Sequence, residues 1–437
     1  MNVRNMTNTM LKQKAQRLCS TLYQCAKDNP NRKFHAVYDK IYRPDILKTA
    51  WLKVKANKGS AGIDKVTIEQ IVNDIGERNF LNELYKKLKD GSYKPSPVRR
   101  VWIPKANSDK KRPLGIPTVE DRVVQQAAKS VLEPIFETTF RDSSYGFRPK
   151  RNAHQAMKTI RKASKKAYWV VDVDIKGYFD NINHRKLMVL VEEKISDRRM
   201  LKLIESWLKC GVLEDGSVKT SELGSPQGGV ISPLLANIYL NFLDRIWEKR
   251  HQDLGVLVRY ADDMVVMCRK KQDALEALKV LNGIFHVLEI EMNREKSRLV
   301  NIWDDSDGFD FLGFHNRKFL RRKKGGTVFY FLEHIPKKGA MKKMRSMFRD
   351  YIMPRNRLHW DTLEFIDGLN RKIVGLRNYY DISVLAPRWL RRIDWYIRQL
   401  LVMHYNKRRT NRNKRSNWKA VNHLLEGKLQ KLAGSSP

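Results

Sequence analysis

Cysteine is scarce: there are four in 437 residues, at Cys19, Cys25, Cys210 and Cys268. None forms a C-x-x-C pair, which argues against a zinc site and against a disulfide framework. Long apolar runs are missing too. Nothing approaches the ~18 apolar residues of a membrane span, and residues 1–15 are polar where a secretion signal would carry an apolar core. No zinc and no membrane partner are therefore expected. The expected address is cytoplasmic, in a bacterium, with an organelle matrix as the alternative. Internal repeats and low-complexity tracts are absent apart from a basic run at residues 407–419.

Acidic residues are in deficit, 47 against 86 Lys and Arg, for a net charge of +39. Such a charge repels itself in the folded state, and a polyanionic partner is the usual reason to carry it. It is also uneven. Residues 316–437 hold 30 Lys and Arg against 8 Asp and Glu, a net of +22. On charge alone a ribosome-like or membrane-surface protein would serve equally well.

What is present is a folding chain. Hydrophobic residues make up 42%, and the length allows two or three domains. The first ~30 residues read as a weakly structured or helical polar arm. Apolar spacing predicts helices at residues 44–58, 79–88, 118–136, 187–208, 232–250 and 272–288. Alternation and β-branching predict strands at 98–104, 168–175 and 309–314, and two strands around an acidic turn within 256–269. Residues 106–111 read as a basic turn. From about residue 336 the pattern is helical, basic and aromatic. The middle is thus α+β and the end all-helical, with a boundary near residues 318–326.

The acidic turn carries the chemistry. Asp262 and Asp263 lie between strands of Val, Leu and Met, where two adjacent carboxylates repel each other unless a cation sits there. The plain alternative is an Asp-rich turn. A second acidic strand end weighs against it. Side-chain alternation puts Asp172 and Asp174 on one face of a strand, with Asp174 at its end. One carboxylate from a strand end and a pair from a neighbouring hairpin is the layout of a two-metal phosphoryl-transfer site, whose ions lie about 3.5–4 Å apart. Asp172 reads as an ordinary half-buried strand carboxylate, Asp180 as the cap of the next helix, and Asp263 as either a ligand or the support of one.

At these residues the sequence resembles the reverse transcriptases of group II introns. Tyr260-Ala-Asp-Asp263 resembles their Y-x-D-D box, and Asp174-Ile-Lys-Gly-Tyr-Phe-Asp-Asn-Ile182 their first catalytic motif. Ser225-Pro-Gln-Gly-Gly229 is similar to the template- and nucleotide-binding motif in its intron form. Arg112-Pro-Leu-Gly-Ile-Pro117 and Ser144-Tyr-Gly-Phe-Arg-Pro149 are similar to the fingers motifs. Phe309-Asp-Phe-Leu-Gly-Phe314 resembles the primer-grip strand, and Gly375-Leu-Arg-Asn-Tyr-Tyr380 the maturase-specific signature. The motifs stand in the family's order from about residue 38 to about residue 408.

The resemblance implies an α+β right-hand polymerase with fingers, a palm built on a split βαβ antiparallel sheet, and an all-α thumb or maturase domain. The corresponding division is an arm at 1–35, fingers and palm at 36–325, thumb and maturase domain at 326–405 and a basic segment at 406–437. Asp174, Asp262 and Asp263, with the carbonyl of Ile175, would hold two Mg²⁺ ions. Lys105, Arg112, Phe179, Pro226, Gln227 and Lys296 would bind the nucleotide. Phe179 would act as a gate against the ribose 2′-hydroxyl and Lys296 as a general acid. The glycines after Gln227 would let the backbone approach the template base pair. Phe311, Leu312 and Gly313 would grip the primer. Lys407, Arg408, Arg409, Arg412, Lys414 and Arg415 would bind RNA.

The implied partners are an RNA template with a DNA primer, dNTPs, structured intron RNA and target DNA. Each role has a plainer alternative: core packing for Phe179, a solvated loop for Lys105, a simple turn for Ser225 to Gly229, a solvated tail for the basic segment. With no cysteine after Cys268, the metal-binding endonuclease of larger members is expected to be missing. The expected function is an intron-encoded polymerase and maturase. The alternatives are a free-standing relative in repair or phage defence, and a non-catalytic splicing cofactor.

Overall fold

Caps and apolar stripes account for the first helices. The computed structural model describes residues 8–104, 111–214, 217–219, 224, 228–303, 308–322, 326, 328–409, 419, 421–423 and 425–434. Helix α1 (Asn8–Asp28) buries a narrow stripe, Leu11, Ala15, Leu22 and Ala26, at helical spacing. After a single turn, α2 (Tyr38–Ile41), α3 (Pro44–Ala56) begins on proline, where no helical donor is lost. Next come α4 (Ile68–Gln70), closed by a capping box at Thr67, and α5 (Glu77–Asp90). A hairpin follows, β1 (Val98–Pro104) and β2 (Lys111–Ile116). Thr118 then accepts from the Asp121 N–H to start α6 (Val119–Glu137), and α1 packs against α6 and α3. The N-terminal segment is therefore the helix of the two alternatives, and part of the core.

Asn152 and Gln155 form a capping box that opens α7 (Ala153–Ala163), which feeds β3 (Trp169–Val173). The single helix expected at 187–208 is two, α8 (His184–Glu192) and α9 (Arg198–Lys209). Asp197 divides them. It accepts from Arg199 and Met200 as the cap of α9, and from the Val37 and Tyr38 N–H groups at 2.8 Å each. Asp180, expected to cap the next helix, does not: it ends a 3-10 turn, and Asn183 caps α8. Short strands β4 (Val212–Glu214) and β5 (Ser217–Lys219) precede α10 (Ser232–Arg250). Twelve of its residues are buried, which makes it the central helix. Then come β6 (Val256–Tyr260), β7 (Asp263–Cys268), α11 (Lys271–Val287) and β8 (Arg298–Asn301).

The strand expected at 309–314 is broken. β9 (Phe309–Phe311) turns at Leu312-Gly313 into β10 (Phe314–Arg322), which pairs with β11 (Val328–Pro336). That hairpin spans the boundary expected near 318–326, so the all-helical part begins later, at α12 (Lys338–Ile352), followed by α13 (Thr362–Tyr380) and α14 (Ala386–Arg409). No described helix is long and apolar enough to cross a membrane.

The strands form three sheets, ordered β2-β1-β4-β5, β6-β7-β3-β8 and β11-β10-β9. Every pair in the second sheet is antiparallel. Its two faces serve different cores. Val171, Val173, Met264 and Val266 face the large cluster around α6, α10 and α11. Val170, Val258, Val265 and Val300 face a smaller cluster shared with α7 and β9–β11. A separate core joins α12, α13 and α14. The chain is thus α+β, with α6, α10 and α11 on one face of the antiparallel sheet and α7 on the other.

Candidate functional site

The second sheet brings the acidic residues together by register. β3 pairs with β7 up to Val173↔Met264, so Asp174 and Asp263 are the next residues along the same edge. β6 and β7 join through a two-residue turn, Ala261-Asp262, closed by the Tyr260↔Asp263 pair. Ala261 sits at φ +58, a left-handed conformation that costs a non-glycine residue roughly 1–2 kcal/mol.

Something must hold that turn, and a buried network does. Arg259 has no solvent exposure. Its Nη1 donates to the Ala261 carbonyl at 2.8 Å and to Asn237 Oδ1 at 3.1 Å. Its charge is met by an equally buried Asp244, with Nε 2.9 Å from Oδ1. Asn237 Nδ2 donates to the Gly146 carbonyl at 2.8 Å. A Cβ on Gly146 would lie 2.5 Å from the Ala261 nitrogen, so only glycine lets the two backbones meet. Sequence reading missed Arg259, Asp244 and Asn237. The signal was a charged residue inside the apolar strand Val256–Tyr260, because a buried charge needs a partner elsewhere.

Asp174 is bound from the other side. Its carboxylate Oδ2 accepts from Asn293 Nδ2 at 3.0 Å and from Lys296 Nζ at 3.1 Å. Its main-chain N–H donates to Ser297 Oγ. Asp172 is half-buried and paired with Arg298 at 3.2 Å, as an ordinary strand carboxylate. Crowding by protein atoms, then the charges of Asp262, Asp174 and Asp172, push the Asp263 carboxyl up to about 6, although its outer surface is open.

These residues line one cleft of about 1680 Å³. That exceeds the ~300–1,000 Å³ of a small-molecule pocket and leaves room for a larger ligand. The wall includes Asp174, Ile175, Phe179, Tyr260, Asp262, Asp263, Lys296 and Leu312, and also Phe147, which sequence reading passed over. Phe179 is half-buried, edge-on to Tyr178 at 5.4 Å. Gly228 lines the cleft, but its closest backbone neighbour is Gly115 of β2, whose carbonyl a Cβ would meet at 2.2 Å. The Gln125 side chain accepts from the Val230 N–H at 2.8 Å and ties this loop to α6.

The remaining expectations fare differently. Phe311 is buried in the core beneath the sheet, so its ring cannot face the cleft. Arg112 lends its backbone to β2 opposite Ile103. Lys105, Pro226, Gln227, Arg412, Lys414 and Arg415 lie outside the described residues, as do the side chains of Arg112, Arg408 and Arg409. Lys407 is exposed near the end of α14.

Among the described residues no group of three or more Asp, Glu, His or Cys side chains is placed to hold a metal ion. The donor set is oxygen-only, and the repulsion that lifts Asp263 is what a cation relieves. Such a set fits Mg²⁺, which takes one or two carboxylates and leaves other positions to water and phosphate.

Comparison with known proteins agrees. Residues 103–316 match the family model for reverse transcriptase (RNA-dependent DNA polymerase). Residues 341–422 match the group II intron, maturase-specific domain. Group II intron-encoded protein LtrA of Lactococcus lactis subsp. cremoris is 44% identical over 220 residues, 50% of this chain and 36% of that protein. Protein YkfC of Escherichia coli (strain K12) is 32% identical over 345 residues, 69% of this chain and 88% of that protein. Nuclear intron maturase 1, mitochondrial, of Arabidopsis thaliana is 38% identical over 93 residues, 21% of this chain and 13% of that protein. The chain therefore spans little more than a third of LtrA. With both family models in order along it and a relative covered almost end to end, the chain belongs to the group II intron reverse transcriptase and maturase family.

Proposed function

We propose that this chain is an RNA-directed DNA polymerase that adds dNTPs to a primer 3′-hydroxyl, and a maturase that binds structured intron RNA to assist splicing and retrohoming into target DNA. The observation that carries this reading is the juxtaposition of the Asp174 strand end and the Asp262-Asp263 turn on one wide cleft. The β6-β7-β3-β8 sheet is the palm in this reading, the β1-β2 hairpin with α3 to α6 the fingers, and α12 to α14 the thumb and maturase domain.

Asp174, Asp262, Asp263 and the Ile175 carbonyl would hold two Mg²⁺. When bound, they supply activation of the attacking hydroxyl and neutralisation of charge at the leaving pyrophosphate. The chain's own residues do the rest. Arg259 fixes the turn that carries Asp262, so no reorganisation is needed when charge develops. Asn293 and Lys296 orient Asp174 before substrate arrives, and Lys296 protonates the leaving pyrophosphate. Lys105 and Arg112 clamp the triphosphate, Pro226 and Gln227 contact the nucleotide over the template, and Leu312-Gly313 abuts the primer. The Phe179 ring excludes a 2′-hydroxyl by steric clash. The cationic end of the chain, Lys407 to Arg415 included, binds RNA backbone by shape more than by sequence.

Primer extension on an RNA template with dNTPs tests the reading. The native chain extends with Mg²⁺, stops with a chelator, resumes when Mg²⁺ is restored, and is silent as Asp262→Ala. A native chain that extends nothing removes the polymerase claim. An Asp262→Ala chain working at the native rate removes the site assignment.

A further inference from the structure

The Leu312-Gly313 turn is an uncomfortable piece of backbone. Both residues have positive φ, +50 and +84, as a two-residue hairpin turn of this hand requires. Glycine adopts that freely, but leucine does not. A branched residue in the left-handed region persists only where its surroundings over-determine it. Leu312 is also half-buried on the cleft wall that carries Asp263 and Tyr260.

The grip on this turn comes from the segment matched by the maturase-specific model and from Lys337, four residues before it. Tyr379 of α13 donates its hydroxyl to the Leu312 carbonyl at 2.8 Å. Lys337, the residue before α12, donates its N–H to the Gly313 carbonyl at 3.1 Å. Phe314, immediately after the turn, stacks on the Tyr379 ring at 5.4 Å and 22°. Tyr379 is in turn anchored to α7: its carbonyl lies 2.9 Å from His154 Nε2, with the two rings 5.7 Å apart. On the other side of the turn, a Cβ on Gly313 would stand 3.1 Å from the Tyr380 hydroxyl.

We infer that Tyr379 is a positioning residue for DNA synthesis: its hydroxyl fixes the Leu312-Gly313 turn at the height where the primer strand lies. The maturase-specific signature is then a working part of the polymerase cleft as well as of any RNA-binding surface. This rests on the polymerase reading above. It differs from a packing role because the bond goes to a strained carbonyl at the cleft, and removing one hydroxyl leaves ring packing intact.

The test is steady-state extension of a DNA primer annealed to an RNA template, with the full chain as wild type, Tyr379→Phe and Gly313→Ala. Losing one hydrogen bond should raise the KM for primer–template about five- to tenfold, while the KM for dNTP and the thermal midpoint stay at wild-type values. Gly313→Ala, strained at φ +84 and pressing the same turn from its other face, should raise the same KM and also lower the thermal midpoint. If Tyr379→Phe extends like wild type at every primer–template concentration, the inference is overturned. It is equally overturned if Tyr379→Phe loses primer–template affinity, dNTP affinity and thermal midpoint together, since that is a folding defect. A wild-type chain that extends no primer overturns the polymerase reading and this inference with it.

Discussion

At the scale of single residues, two side chains make sharp and opposite predictions. Phe179 lines the cleft and packs on the edge of the main core; with the gate role proposed for it, Phe179→Ala should admit ribonucleotides. Competition between dNTP and rNTP on one template measures this. Unchanged discrimination would take Phe179 out of the gate. Lys318 is a different case. It is 3% exposed, and among the described residues no carboxylate pairs with it. Instead its ammonium lies over the faces of Tyr168 at 4.3 Å and Trp303 at 4.7 Å.

Burial pushes the Lys318 pKa down from 10.5 to about 8. Between those values the unfolded chain holds a proton that the folded chain has released, so stability rises with pH in that window. Lys318→Met should therefore stabilise the protein by about 1 kcal/mol at neutral pH, with the advantage fading between about pH 8 and 10.5. Urea titrations at both ends of the window decide it. A pH-independent difference would mean that the rings, not dehydration, set the energy of this lysine.

At the scale of elements, the hairpin β6–β7 depends on residues from elsewhere in the chain. Asp244→Asn leaves the Arg259 guanidinium buried without a counter-charge, which costs about 3–5 kcal/mol. The denaturation midpoint should fall accordingly, and extension should fall with it because the Ala261 carbonyl loses a fixed donor. A midpoint equal to wild type would show that the pair is not what holds the turn.

This network also shows what the sequence could and could not disclose. The strand Val98–Pro104 and the helix Ser232–Arg250 were legible to the residue, because their alternation and their proline start are local facts. The convergence of Asp174 and Asp262-Asp263 on one cleft was legible because each stands at the end of an apolar strand. The break at Leu312 was not, since a leucine in a left-handed turn is held there by Tyr379, 67 residues away. Nor was the split at Asp197, which depends on Val37 and Tyr38 across 160 and 159 positions. Periodicity sees neighbours along the chain, and these elements are decided by neighbours in space.

At the scale of the whole molecule, charge dominates. The structured-RNA binding proposed above, by a chain of net +39, should proceed by releasing counterions from the phosphates. Affinity should then fall roughly a thousandfold or more between about 50 and 200 mM salt, as filter binding or fluorescence anisotropy would record. A flat response would refute the electrostatic account and leave the excess of Lys and Arg unexplained. The split of charge sharpens this. Replacing Lys407, Arg408, Arg409, Arg412, Lys414 and Arg415 with glutamine should reduce the slope of log affinity against log salt, while the core residues Val421, Leu425 and Leu432 stay in place.

The first helix has a consequence of its own. α1 packs on α3 and α6, and Cys19 Sγ donates to the Ser130 carbonyl across 111 positions. At about 5–20 residues per second, a ribosome needs on the order of ten seconds to make that stretch. For that time Leu11, Ala15, Leu22 and Ala26 are outside the exit tunnel without the surface they will cover. Nascent chains arrested before α6 should therefore recruit holdase chaperones to their N-termini, and chains arrested after it should let them go.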